Sequence, residues 1–330
     1  MDRTYLLPPE GNFYKANLHS HTTVSDGNFT PEEAKVKYRA AGYSILAFTD
    51  HRVIEEHKEL NGPDFLTLIG YEMDITGWDG NILKTHHMNA IARDPLFYRY
   101  VENPNGYSTA IIQKTIDRLN ESGFLVSHNH PDWSSQEASD YLPLKGFFAM
   151  EAYNNISHVH NGEGLSIAAY DTALRHGKKL YCLATDDNHD EPNAFGEIGG
   201  TDSFGGFTMI KAERLTYDSV IDALLSGHFY SSMGPKIYDY YIEDNKLCID
   251  CDPVSCIYLK SVRPGNSDAR FAFSDSLTHA EFDLTNLPTN KDGSTYARID
   301  IVTHDGKFAF TNPVFFGYDD EEEETEEEEW

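Results

Sequence analysis

Five times along the chain a short apolar run ends and side chains that bind metal ions begin. His19 and His21 follow the run 14–18, Asp50 and His51 follow 44–49, and Glu72 follows Ile69-Gly70-Tyr71. His128 and His130 follow Leu125-Val126, and Asp187 and His189 follow Leu183-Ala184-Thr185. Apolar runs of this length between turn signals read as buried strands. Parallel strands bring their carboxyl ends to one face, which is where barrel enzymes keep their active sites. The recurrence therefore predicts metal-capable side chains gathered at one end of a parallel sheet or barrel.

The segments between these runs carry helix signals. Thr30-Pro31-Glu32-Glu33 combines an N-cap, a proline in the first turn and a capping-box glutamate, and Gly42 should close that helix. Residues 108–122 place Ile112, Ile116 and Leu119 at helical spacing before Gly123; 165–176 end at Gly177, and 216–226 supply a last helix. Further strands are expected at 67–71, 87–91, 124–126, 147–150, 180–184 and 207–210. Seven or eight such βα units make an α/β closed barrel the expectation. After Gly234-Pro235 the grammar changes. Short β-like runs at 247–249, 257–259 and 298–302 without helical spacing predict a small antiparallel β domain over 236–318. Cys248, Cys251 and Cys256 lie there with no fourth ligand near and read as ordinary strand cysteines. Four cysteines in 330 residues do not make a disulfide framework.

The formal net charge of −28 argues against a nucleic-acid duplex as partner, because phosphate backbones select basic faces. Ten of those negative charges fall in 319–330, whose self-repulsion predicts a disordered tail. With those ten set aside the body still carries −18, so an anionic substrate would need bound cations to reverse the local field. No apolar run has the length of a membrane span, and the N-terminus lacks the basic and apolar stretches of a secretory leader, so the expected location is cytoplasmic. Nothing in the chain encodes an oligomeric state.

The histidine spacing has a direct physical meaning. Residues i and i+2 of a strand point the same way, so His19 and His21 can hold one cation together, and Asp187 with His189 repeats the pattern. A carboxylate can be shared by two cations, and Glu72 is placed to do so. Mixed histidine and carboxylate ligands suit Zn, Mn or Fe, whereas Mg or Ca would want oxygen alone. Any one of these pairs is weak, since most such histidines are surface or satisfied core residues. Five of them, each after its own strand, are a strong signal together. His57, His158, His160, His176, His279 and His304 lack that placement and read as surface or structural, while His86 and His128 compete with neighbours for ligand positions.

Taken together, His19-Ser20-His21 through Asp26-Gly27, Thr49-Asp50-His51, Gly70-Tyr71-Glu72, His130-Pro131 and Asp187-Asn188-His189 resemble the PHP (polymerase and histidinol phosphatase) superfamily across about 13–235. The stretch 227–235 resembles its CehA/McbA-type branch, which carries a β domain after the barrel. The resemblance implies a distorted (βα)7 barrel over 1–235 and two to three divalent ions (Mn, Zn or Fe). It places His19, His21, Glu72 and Asp187 on one metal, Glu72, His87 and His130 on a second, and Asp26, His51 and His189 on a third. Asp26 stands where many relatives have histidine, and Ala92 where glycine is common. The implied activity is hydrolysis of a small-molecule phosphate ester by a metal-activated water, with Glu72, His51 and His189 nearest the chemistry. Arg52, Lys84 and Arg93 are candidate anchors for phosphate oxygens. One rival is a carbamate, ester or amide hydrolase using the same metals. The other is a scaffold without activity, which should show gaps among the ligand positions; here all nine are filled. Neither an activated nucleophile nor a glycine-rich nucleotide loop is apparent.

Because 319–330 has no apolar periodicity with which to offset the entropy of ordering, its removal should leave melting temperature and activity nearly unchanged. Scanning calorimetry of the truncated chain checks this, and a large loss would mean that the tail docks on the body.

Overall fold

The computed structural model describes residues 3–191, 202–265 and 267–318; the acidic segment 319–330 lies outside them. In chain order the first half comprises β1 (Thr4–Tyr5), β2 (Asn12–Asn17), α1 (Pro31–Ala40), β3 (Ile45–Phe48), β4 (Leu66–Asp79), β5 (Ile82–Ala92), α2 (Thr109–Glu121), β6 (Phe124–His128), α3 (Ala138–Tyr141), β7 (Ala149–Asn154) and α4 (Asn155–Asn161). Then come α5 (Ile167–Arg175), β8 (Tyr181–Thr185), β9 (Phe207–Ala212), α6 (Tyr217–Leu225) and β10 (Phe229–Ser232). The remainder is all strand: β11 (Ile237–Glu243), β12 (Lys246–Val254), β13 (Cys256–Lys260), β14 (Asp268–Phe271), β15 (Leu277–Asp283), β16 (Thr295–Val302), β17 (Phe308–Thr311) and β18 (Val314–Phe316). No helix among the described residues is long and apolar enough to cross a membrane.

The helix boundaries follow local chemistry. At α1 the Thr30 hydroxyl accepts from Glu33 N at 3.2 Å while Glu33 Oε2 accepts from Thr30 N at 2.9 Å, closing the capping box. After α2 the chain turns at Gly123, whose φ of +92° and position against Phe97 O leave no room for a side chain.

A mixed α/β fold results, with one large sheet of strand order β14-β13-β16-β17-β10-β9-β2-β3-β4-β5-β6-β7-β8 and β18 attached to β16. A second, four-stranded sheet has the order β1-β11-β12-β15, so a strand from the start of the chain pairs with the C-terminal strands. The expected parallel succession holds for β2-β3-β4 and for β6-β7-β8. It fails between them, because β5 runs antiparallel to both β4 and β6. The cause is a two-residue turn, Gly80-Asn81 between Asp79 and Ile82, which makes β4 and β5 one long hairpin. Its outer half is exposed and mixes polar residues with the exposed apolar side chains Trp78, Ile82 and Leu83, so the buried apolar stretches near 67–71 and 87–91 are the ones that stand out in the sequence.

The two regions share a core. Tyr38, Leu46 and Phe48 lie in one buried cluster with Tyr240, Ile249 and Ile299. Arg298 on β16 is fully buried, with its guanidinium between Asp300 and Asp171 of α5, and Lys260 Nζ lies 3.2 Å from the second oxygen of Asp171. Burial disfavours this charge, and the two carboxylates more than compensate. Arg298→Met would leave Asp300 without its partner and Asp171 with Lys260 alone, and a loss of about 3–5 kcal/mol is expected in urea unfolding. Wild-type stability in that variant would contradict the assigned compensation.

Candidate metal centre

All nine expected ligand positions converge. His19 Nε2 and His21 Nε2 are each 3.0 Å from Asp187 Oδ1 and 3.1 Å from one another, with Glu72 oxygens at 3.3 and 3.5 Å. Glu72 Oε1 also lies 3.0 Å from His87 Nδ1 and 3.4 Å from His130 Nε2. On the other side His51 Nδ1 is 3.1 Å from Glu72 Oε2, while Asp26 lies 3.4 Å from His189 and 3.7 Å from His51. These residues form overlapping sets able to hold an ion: His19, His21, Glu72 and Asp187; Glu72, His87 and His130; His21, Asp26, His51 and His189. His21, which the resemblance placed in the first set alone, thus also faces the third.

The strands explain the convergence. Beyond β2 and β8 the chain continues as a parallel pair, with an Asp187 N to His19 O bond of 2.9 Å, a His21 N to Asn188 O bond of 3.1 Å and a Ser20–Asn188 bridge. That pairing brings Asp187 beside His19 and His21. His87 arrives from an antiparallel strand, and the hairpin register sets it opposite Asp74, diagonal to Glu72 on the same face. His130 and Asp187 both have positive φ, 22° and 53°, which costs side-chain-bearing residues of order 1–3 kcal/mol each. The backbone is bent where the side chains must turn inward.

Buried groups around the cluster fix its orientation. Glu151, which the sequence reading passed over, accepts from His19 Nδ1 at 2.8 Å, Thr185 Oγ1 at 2.7 Å, His130 N at 2.9 Å and Asn154 Nδ2 at 3.0 Å. It could join His19 and His130 around an ion. Four donors already occupy its oxygens, however, so it acts as the carboxylate that turns His19 Nε2 toward the cluster. Asn129 Nδ2 likewise donates to Glu72 Oε1 at 2.9 Å. Asp50 is not at the site, because its carboxylate accepts from Thr22 and Ser25 and ties down the 22–25 loop. Asp186 accepts from the backbone N–H groups of Phe204, Gly205 and Gly206, and burial still pushes it up to about 7.

The charge balance suits cations. Burial alone would raise Glu72, yet His19, His87 and His130 hold it well below the usual carboxylate range. Burial would lower His19, and Asp187, Glu72 and Glu151 raise it well above the usual imidazole range. The Asp187 Oδ1, His21 Nδ1 and His51 Nδ1 atoms are buried beside polar neighbours at 3.0–3.8 Å with which they make no aligned hydrogen bond. Facing imidazole nitrogens and orphaned carboxylate oxygens are what a divalent ion would satisfy by displacing the shared protons.

The cluster floors a cavity of about 370 Å³. Around its mouth stand Trp133, Ile156, Ser157, His160, Asn161 and Glu191, with the Trp133 ring 4.9 Å from His130 and 5.4 Å from His87. The three candidate phosphate anchors are elsewhere: Arg52 pairs with Asp74, Lys84 with Asp79 and Asp140, and Arg93 with Asn120. Acidic partners on the protein itself hold the first two, and no Lys or Arg lines the cavity among the described residues. His86 and His128 stack on each other at 4.6 Å outside the ligand sets, where burial lowers both. His57 packs on Phe48 and is structural.

No family model matches this chain, and no curated protein matches it. Among solved structures, a two-domain protein of Bacteroides vulgatus containing a predicted PHP-like metal-dependent phosphoesterase is similar, at 14% identity over 95% of this chain and 99% of that one, with a TM-score of 0.47. A proposed metal-dependent phosphoesterase of Bifidobacterium adolescentis is 16% identical over 60% of this chain and 94% of its own, with a TM-score of 0.40. An amidohydrolase of Chromobacterium violaceum with bound sulfate and no metal is 16% identical over 57% and 92%, with a TM-score of 0.38. At these identities and TM-scores the likenesses decide nothing about the chemistry, which rests on the side chains themselves.

The contact between His189 and Asp26 is directly measurable. Burial lowers the His189 imidazole, and Asp26 with Asp187 more than reverses this, holding it at about 9. The folded value exceeds the unfolded one, so in metal-free protein this contribution is complete below the unfolded imidazole range and is lost as pH rises through about 9. An NMR titration of metal-free protein should place His189 there, and Asp26→Asn should move it down. An unmoved midpoint would contradict the pairing.

Proposed function

We propose that this chain is a metal-dependent hydrolase of the PHP superfamily, in its CehA/McbA-type branch, acting on a small phosphate ester. The observation that carries this reading is the convergence of His19, His21, Glu72, His87, His130 and Asp187 on one buried point from five separate segments of the sheet. In this reading β2 to β8 close into a distorted (βα)7 barrel, which the bridge between Ser20 and Asn188 supports. Residues 1–235 form the catalytic unit and 236–318 the flanking β unit.

Two or three divalent ions (Mn, Zn or Fe) held by the three ligand sets would polarise phosphoryl oxygens and make a water acidic enough to attack in line. Glu72 is shared by two of those sets, and its ionised state is maintained by the imidazoles around it. Glu151 holds the His19 ring with Nε2 inward, and Asn129 holds Glu72 Oε1. His51 and His189, partly exposed at the mouth, are placed to hand a proton to the leaving oxygen if the third set is empty. Trp133 covers the His87 and His130 side and limits water there.

One observation favours a second reading. A dianionic ester gains from cationic side chains, and the described cavity wall offers no Lys or Arg. An uncharged carbamate, ester or amide would not need them.

Chelation should abolish hydrolysis, and Mn, Zn or Fe should restore it. Glu151→Gln should lose about 10–100-fold, as an orienting group does, and Glu72→Gln should lose more than that while still folding. Assays on 4-nitrophenyl phosphate, bis(4-nitrophenyl) phosphate and 4-nitrophenyl acetate separate the two substrate classes. Full activity in metal-stripped protein, or a Glu72→Gln enzyme close to wild type, would overturn the reading.

A further inference from the structure

The wall of the metal cavity outside the ligand sets has a character of its own. The turn 130–136 is closed by bonds from Ser134 N to His130 O at 3.1 Å and from Gln136 N to Pro131 O at 3.0 Å, and it holds Trp133 just beyond His130. The indole stands crosswise to the His130 and His87 rings, at interplanar angles of 81° and 67°. It lines the cavity and is 38% exposed. An indole left open beside the cluster is a surface on which a flat ring can pack.

A second part of the wall is one face of α4. Ile156, Ser157, His160 and Asn161 lie at helical spacing and line the cavity together, adding apolar surface and hydrogen-bonding groups. The charges of the lining are mostly acidic. Asp26, Glu72, Asp187 and Glu191 are its carboxylates, so two divalent ions would only balance them, and the surplus of a third would be taken up by one phosphoryl dianion. No Lys or Arg lines the cavity among the described residues, and the sequence 192–201, which follows Glu191, contains neither. A second anionic group on the substrate would meet Asp26 and Glu191 with no Lys or Arg to offset them.

Resting on the hydrolase reading above, we infer that the substrate is an aryl ester whose reacting group is held at the cluster, whose ring lies against Trp133, and which carries no second anionic group. Trp133 is then a specificity-determining residue that acts through affinity for the ring. Esters of small aliphatic alcohols and polyanionic esters are the poor substrates.

Calorimetric titration of the Mn-loaded full chain with phosphonates, whose P–C bond it does not hydrolyse, tests this. Phenylphosphonate should bind about tenfold tighter than methylphosphonate, as one packed ring would give. A carboxyl group should cost affinity, so 4-carboxyphenylphosphonate should bind more weakly than phenylphosphonate. Trp133→Ala should bring the phenyl and methyl affinities together, and Trp133→Phe should keep most of the difference. If Trp133→Ala does not fold, wild-type protein labelled with 5-fluorotryptophan gives a second readout. The fluorine resonance that is missing from Trp133→Phe should shift with phenylphosphonate and stay in place with methylphosphonate. Equal affinities, a phenyl advantage that survives Trp133→Ala, a carboxyl group that tightens binding, or an unmoved resonance would overturn the inference, while metal-dependent binding of both phosphonates would leave the hydrolase reading standing. Failure of both to bind the Mn-loaded chain would overturn the phosphate-ester reading, and this inference with it.

Discussion

The arrangement of this protein's site depends on one buried carboxylate, Glu72, being shared among imidazoles from several strands. Isolated, an ionised glutamate with 1% exposure would be heavily penalised and would neutralise itself. Here His19, His51, His87 and His130 all approach it within 3.4 Å, and the group stays ionised. Protons provide the balancing charge when no cation does. Divalent ions could replace several of those protons at once, which is why the cluster reads as a metal centre rather than a set of structural ion pairs.

Much of the local architecture serves that shared charge. The β4–β5 hairpin carries Glu72 and His87 on one face, so the two are fixed relative to each other by a single ladder. The pairing beyond β2 and β8 sets Asp187 against His19 and His21. Glu151 and Asn129 then remove the remaining rotational freedom of the ligands. Farther out, the buried Arg298 links β16 to α5 through Asp171, so the C-terminal strands are tied to a helix that packs on β7. Rigid support of this kind keeps ligands close to productive geometry without help from the ion.

Elements whose signal was local could be read from the sequence. The capping box at Thr30 and the glycine stop after α2 are visible within a few residues, and both helices form there. The residues of the cluster were legible because apolar runs end abruptly at His19, Glu72 and Asp187. Glu151 was not, because apolarity stops at Met150 while β7 continues to Asn154, so a buried carboxylate lies inside a strand that seemed finished. Strand direction was also hidden. Nothing in the run 87–91 says that it pairs antiparallel; that follows from the turn at Gly80-Asn81, several residues before the run, where the flanking strand ends are exposed and mix polar and apolar side chains. The basic residues Arg52, Lys84 and Arg93 misled for a related reason, since charge identity does not reveal which partner a side chain will find.

Element-specific anomalous diffraction from crystals of protein purified without added metal tests the central claim most directly. The account predicts transition-metal peaks on both sides of the Glu72 carboxylate, one near His19, His21 and Asp187 and the other near His87 and His130. A cluster that stays free of metal, even after crystals are soaked in Mn or Zn, would contradict it.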